Sequence, residues 1–308
     1  MILWAVAMVR NEEDIVEAFV RHNLPFVDGI TVLDHRSSDS TREKLRALEA
    51  EGLPVINLHT SEEALHKARH MSALARESIS RTGADFVFTL DADEFIKADS
   101  RAAVERALAA IPEGSHALHL WRSYVPDSFE GPFGAHCLRM RLREERIPRA
   151  KVILRRAFAT SAHEMVSEGQ HWALDMRTRM RVAHHMLDPA ELSLAHCPVR
   201  SAAQLARKVK QGYGARLAAS DGKRLDPRQS YHWREIGEDL DRGIGLDDQR
   251  LRLVAVNYTV PRSQWMPAER VELVEDPVVL CAQTKTGAAA PVSAPEPSFS
   301  EGMARGDT

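Results

Sequence analysis

The sequence predicts an α/β fold, with a mostly parallel central sheet flanked by helices, on two observations. Over the first hundred residues short apolar runs alternate with stretches of helical periodicity, the pattern of strands joined by helical crossovers. Three polar clusters, Arg10-Asn11-Glu12, Asp34 through Asp39 and Asp91 through Glu94, each follow an apolar run. In a parallel sheet all three then gather beyond the carboxyl ends of the strands, where such sheets bind ligands.

The elements follow in order. ILWAVAM (2–8) reads as a first strand, and Ile15, Ala18, Phe19 and His22 share one face of a helix after it. GITVLD (29–34) is a second strand, closed by the polar run HRSSDS. A helix from Thr41 to Glu51 and a third strand, PVINL (54–58), come next. Leu65, Ala68, Met71, Ala75 and Ile79 place a helix over Ser61–Arg81, before a fourth strand, ADFVFTL (84–90). Farther on, HALHLWRSY (116–124) is strand-like, and residues 139–156 carry eight Lys or Arg against two Glu. Histidines gather at 163, 171, 184, 185 and 196. Ser201 is placed to cap a helix running to about Ala219, and a second helical pattern covers 231–242. From Cys281 the chain is rich in Ala, Pro, Ser and Gly and reads as a disordered tail, 281–308.

Composition narrows the classes. The chain has 308 residues, 44% hydrophobic and 28% charged, long enough for a sizeable core and ordinary for a globular protein. A net charge of −3 gives no argument for nucleic acid as a partner. Three scattered cysteines, Cys137, Cys197 and Cys281, suggest neither a disulfide framework nor a thiolate zinc site. Nine apolar residues precede the first charge, without a basic leader or a small-residue cleavage site, so the start reads as a buried strand. No run approaches the apolar length that spans a bilayer, which leaves room only for peripheral membrane contact. The expected address is the cytoplasm. There is no GxGxxG, no GxxxxGK[ST] and no GxSxG.

The acids that end the fourth strand raise the sharpest question. Asp91, Asp93 and Glu94 crowd three like charges into four residues, which is costly unless they face solvent or hold a cation. A hard divalent ion takes oxygen ligands, often one or two carboxylates together with substrate phosphates. Asp34 would then accept from a nucleobase or ribose, whereas Asp39 and Ser40 suit the cap of the following helix equally well.

In their order and spacing, MVRNEED (8–14), LDHRSSDST (33–41) and FTLDADEF (88–95) resemble the motifs of family 2 glycosyltransferases and their relatives with the GT-A fold. The resemblance covers roughly residues 1–100 and implies a nucleotide-sugar donor, probed at Asn11, Asp34 and Asp39. It also implies Mn²⁺ or Mg²⁺ on Asp91 and Asp93, with Asp91 close to the ribose as well. Arg69, in KARHMSAL, stands where many members carry an Arg-Asn pair, with His70 replacing the Asn. LAHCPVRSAAQLARKVKQGYG (194–214) is similar to a block of some divergent members. It offers His196 as a third metal ligand and Arg200 and Lys208 as phosphate cations. His163 competes with His196 for the metal, and His171 trails both.

On this reading residues 1–200 form the catalytic domain, with a nucleotide-binding half (1–100) and an acceptor and metal half (101–200), and 201–280 form a helical extension. The implied reaction is metal-dependent, inverting transfer of a sugar, from UDP by analogy, to a hydroxyl of a glycan or another acceptor. The base that takes the hydroxyl proton would come from the second half, and Glu164 is the candidate. Two other readings compete. A sugar nucleotidyltransferase would carry a glycine-rich phosphate loop after the first strand, which MVRNEED lacks, and a non-catalytic nucleotide-sugar binding protein would need no base at all.

Overall fold

The computed structural model describes residues 1–64, 66–220, 231–258 and 260–280. The tail expected from Cys281 onward lies outside the described residues. The fold is mixed α/β, with a central, mostly parallel sheet flanked by helices, as the sequence predicts.

The parallel core comes from the amino-terminal part of the chain. Strands β1 (Leu3–Val9), β2 (Gly29–His35), β3 (Val55–Thr60) and β4 (Phe86–Leu90) lie in the order β3-β2-β1-β4, every pair parallel. Helices α1 (Val16–Asn23), α2 (Thr41–Ala50) and α3 (Lys67–Thr82) make the crossovers. All seven residues of β1 are buried, because it is flanked by strands on both sides and covered on both faces.

Alternation along β1 divides the core. Leu3, Ala5, Ala7 and Val9 pack with Val16, Phe19 and Val20 of α1 and Leu45 and Leu48 of α2. Trp4, Val6 and Met8 face Met71, Leu74, Ala75 and Ile79 of α3. Fully burying one such side chain is worth about 2 kcal/mol, so the two faces fix the register of the whole core. Gly29 sits beside Trp4 in that register, and a Cβ there would run into the indole. The indole N–H meanwhile donates to Thr31 Oγ1 at 2.8 Å.

One boundary departs from expectation. The helix read from Ser61 begins at Lys67; residues 61–64 are not helical, and Leu65 lies outside the described residues. The Thr60 hydroxyl accepts from the Glu62 amide (3.1 Å), a local bond that competes with a helical turn. At the other end Gly83, at φ 67°, closes α3 in the left-handed conformation that glycine tolerates.

Beyond β4 the sheet turns largely antiparallel. After β5 (Glu94–Lys97) and α4 (Arg101–Ala109), β6 (His116–Val125) pairs with β7 (Met140–Leu142) and β8 (Ala150–Arg155), and β8 also lines up against β4. A small hairpin sheet, β9 (Glu164–Val166), β10 (Ala173–Asp175) and β11 (Met180–Arg181), stands apart. Strand β12 (His184–Met186) runs parallel to β6, and β13 (Ser193–His196) pairs with both β5 and β6.

Helices α5 (Ala202–Ala219), α6 (Tyr231–Asp241) and α7 (Asp248–Asn257) follow; the Ser201 hydroxyl accepts from the Gln204 amide as a cap. Their apolar faces form a third cluster with Val125, Leu142 and Val199. The segment 201–280 is not wholly helical, because β14 (Leu273–Glu275) returns to pair with β7. Among the described residues no helix is long and apolar enough to cross a membrane.

Candidate functional site

In register, Val9 lies beside Asp34 and Ala7 beside Leu90, so the carboxyl ends of β1, β2 and β4 coincide along one edge. A cavity of about 730 Å³ opens there. Met8, Val9, Arg10 and Glu12 reach it from β1, His35 from β2, and Asp91, Ala92 and Asp93 from β4. Lys67 and Ala68, at the amino end of α3, line it as well. Lys208, Gln211 and Gly212 of α5 add a further wall, and Trp121, Trp172, Trp233 and Tyr258 add aromatic surface.

The acids of the Asp91-Ala92-Asp93 turn are met by lysines. Lys67 Nζ donates to Asp91 Oδ1, and Lys151 Nζ donates to Asp91 Oδ2 at 2.7 Å. Lys151 sits on β8 with its side chain 0% exposed; it also donates to Gln170 Oε1 (3.0 Å) and lies 3.4 Å from Glu94 Oε2. The pairing of β8 with β4 brings it there across sixty residues of sequence. Lys208 Nζ donates to Asp93 Oδ2 at 2.5 Å.

Burial opposes ionisation of Asp91, yet Lys151 and Lys67 outweigh it and hold the carboxyl well below its ordinary range. Asp93 behaves alike: burial raises its pKa, but Lys208 and His196 hold it at about 2. Glu94 goes the other way. Its complete burial, with Asp91 and Asp93 nearby, lifts it to about 8 against the pull of Lys151. Its Oε2 accepts from the Asp91 amide at 2.8 Å, which stiffens the turn.

His196 arrives through β13, in register with Glu94, while the Cys197 amide donates to the Asp93 carbonyl at 2.9 Å. The imidazole stacks on Trp121 (centroids 4.2 Å apart, planes at 22°), and burial pushes its pKa down to about 4, so it is neutral at pH 7. Its Nε2 lies 3.8 Å from Asp93 Oδ2.

These residues offer a divalent ion a limited donor set. Two ligands of one ion, each about 2.1 Å from it, stand up to about 4 Å apart, so Asp93 Oδ2 and the neutral His196 Nε2 meet that spacing, although Asp93 Oδ2 also accepts from Lys208. Both oxygens of Asp91 likewise accept from ammonium groups, Lys67 and Lys151. Among the described residues no group of three or more His, Cys, Asp or Glu could hold a metal ion. One carboxylate and one imidazole suit an ion whose remaining ligands are substrate oxygens and water.

Of the remaining residues picked out from sequence, His171 lines the cavity, its Nδ1 2.8 Å from the Ala150 carbonyl, and the others lie away from the lining. Asn11, at φ 54°, accepts on Oδ1 from the amides of Ser38 (2.7 Å) and Asp39 (3.3 Å) and donates to Gln211 Oε1 (2.7 Å). Asp34 is buried and accepts from the Ser37 amide, with Arg42 at 3.7 Å. Asp39 accepts from the amide (3.0 Å) and hydroxyl of Thr41 and so secures the start of α2. These three join the loops behind the cavity wall. Arg200 is buried, paired with Asp14 (2.7 Å) and with the cavity-lining Glu12 (2.5 Å). Arg69 is exposed and pairs with Glu62.

His163 is exposed and Glu164 faces away from the cavity. On β9 Met165 and Val166 line the cavity, whereas Glu164 turns onto His116, 2.9 Å from its Nε2. That hydrogen bond holds the Glu164 carboxyl below its ordinary range. Four residues on, Glu168 does line the cavity. Lys67, Lys151 and Glu168 were not singled out from sequence. Lys151 did leave a signal, a lysine set inside the apolar run AKVIL, where a buried ammonium requires an acid beside it.

No protein-family model and no curated protein sequence matches the chain. Among solved structures it is similar to S. aureus TarS 1-349, 12% identical over 83% of this chain and 80% of that one, at a TM-score of 0.41. It is similar to the mannosyltransferase PcManGT from Pyrobaculum calidifontis in complex with GDP-Man and Mn²⁺, at 13% identity, 82% and 70% coverage and a TM-score of 0.38. A third is glucosyl-3-phosphoglycerate synthase from Mycobacterium tuberculosis with Mn²⁺, UDP and glucosyl-3-phosphoglycerate. That likeness is 24% identical, covers 41% of this chain and 44% of that one, and has a TM-score of 0.26.

Proposed function

We propose that the protein is a GT-A-type glycosyltransferase that moves a sugar from a nucleotide diphosphate donor to an acceptor hydroxyl. The observation that carries this reading is the cavity at the carboxyl ends of β1, β2 and β4, with Asp91 and Asp93 in its lining and Lys67 and Lys208 beside them. The order of the three motifs along the first hundred residues supports it.

In this reading the donor diphosphate lies against Lys67 and Lys208, and the acceptor enters along the wall formed by Met165, Glu168 and Trp172. The acceptor oxygen attacks the anomeric carbon as the bond to the diphosphate breaks, and negative charge grows on the leaving oxygen. Ammonium groups fixed beside that oxygen stabilise the transition state more than the ground state. Glu168 takes the acceptor proton, since a general base must stand within reach of the reacting hydroxyl and Glu164 does not line the cavity. A single displacement of this kind inverts the anomeric centre. A divalent ion held by Asp93 and His196 would supply further neutralisation of the leaving group as a Lewis acid. Uridine as the base, as the motif resemblance implies, is part of the same proposal.

The test is a screen of nucleotide sugars for release of nucleoside diphosphate, with and without Mn²⁺. One donor is expected to turn over, and Lys208→Ala to lower that turnover at least about tenfold. Absence of release and of binding with every donor would overturn the reading.

A further inference from the structure

We infer that lysines, rather than a metal, join the aspartate turn to the donor diphosphate, so that nucleoside diphosphate binding survives removal of divalent cations. This rests on the proposed function and goes beyond it. A metal in such a site bridges protein carboxylates and phosphate oxygens, and three ammonium groups already occupy the carboxylates here. The three are not equivalent. Lys151 is sealed, 0% exposed, and fixed by Asp91 and Gln170, so it keeps Asp91 ionised whatever else moves.

Lys67 and Lys208 line the cavity from separate helices, with side chains 22% and 19% exposed. An ammonium has three donors on a flexible four-carbon stem. Lys67 commits one to Asp91 and Lys208 one to Asp93, and both groups border the cavity. Each can therefore hold its carboxylate and a phosphate oxygen together, the bridging task otherwise given to a metal. The supply of protein donors points the same way: among the described residues no group of three or more His, Cys, Asp or Glu could hold an ion, and the Asp93 oxygen nearest His196 already accepts from Lys208.

The experiment titrates the full chain with UDP, GDP, ADP, CDP and dTDP by calorimetry, once in excess EDTA and once in Mn²⁺. The nucleotide that binds is expected to lose less than about threefold in affinity in EDTA. Lys67→Met with Lys208→Met is expected to lose at least about tenfold in EDTA. Binding in Mn²⁺ that falls more than about tenfold in EDTA overturns the inference and leaves the proposed function standing. Binding by the folded double variant equal to wild type overturns it too. The EDTA comparison needs no variant, so misfolding of the double variant cannot hide the answer. Failure of every nucleotide under both conditions would sink the proposed function and the inference together.

Discussion

The carboxylates that follow β2 and those that follow β4 stand at one edge of the same sheet, yet they are satisfied by different partners. Asp34 and Asp39 accept mainly from backbone amides and hydroxyls of their own loop and of the turn after β1, and Asn11 binds that loop to the same turn. Asp91 and Asp93 accept from ammonium groups on β8, α3 and α5. A carboxylate closed off by local amides fixes a loop and has little left to offer a ligand. A carboxylate held by lysines on remote elements draws those elements together and leaves donors facing the space between them. Acidic clusters that look alike in sequence thus divide into architecture and site according to what neutralises them.

The largest expected effect tests the sealed partner. Lys151→Met removes one member of a buried charge cluster and should cost about 3 kcal/mol or more, read from urea denaturation. A loss below about 1 kcal/mol would show that Asp91 does not need that cation, and the contrast between the clusters would weaken.

The next effect comes from a buried group with no partner of either kind. His119 is buried against Phe88, both ring nitrogens lack a hydrogen bond, and burial pushes its pKa down to about 3. The unfolded chain titrates near the ordinary 6.5. Between those values the unfolded state binds the additional proton, so stability is full above the unfolded value and falls as pH falls. The drop from pH 7 to pH 5 is about 2 kcal/mol. His119→Leu should flatten that slope in denaturation curves taken across the range; an unchanged slope would assign it to other groups.

Smaller effects separate the loops from the cavity. Asp39→Ala should cost about 1 kcal/mol through the start of α2 while leaving nucleotide affinity within about threefold. A tenfold loss of affinity would move that loop into the donor site. The smallest effect expected is that of Glu164→Gln, which should alter turnover less than about threefold; its control, Glu168→Gln, should lower turnover about a hundredfold. Reversal of those two results would return the base to β9.

Much of the parallel core was legible, because apolar runs, helical periodicity and turn residues are local signals and β1 to β4 follow one another along the chain. The Asp91-Ala92-Asp93 turn was legible for the same reason, since a buried run ending in acids is visible in one stretch. The partners of those acids were not. Lys151 reaches Asp91 through an antiparallel pairing of β8 with β4, and His196 reaches Asp93 through β13 and β5. Neither pairing has a periodicity of its own. Lys67 rather than Arg69 lines the cavity because of where α3 begins, and Glu168 rather than Glu164 because of which way a three-residue strand faces. Boundaries and facing are set by tertiary packing, which local propensity does not encode.

The return of β14 to the sheet has a consequence for how the molecule is made. The Asp276 carboxylate pairs with Lys97 and Arg141, and its carbonyl accepts from Tyr124 Oη at 2.7 Å. A ribosome delivers those three partners well before Asp276, so they wait for a strand that emerges after α5, α6 and α7. The parallel core, rich in near-neighbour pairings, can assemble while synthesis continues. Helix α5 is tied to the turns after β1 and β4 through Gln211 and Lys208 without β14, which covers the edge of β7 instead. Nascent chains halted before residue 273 should therefore be cut by protease near β7, whose edge β14 covers, while β1 to β4 resist.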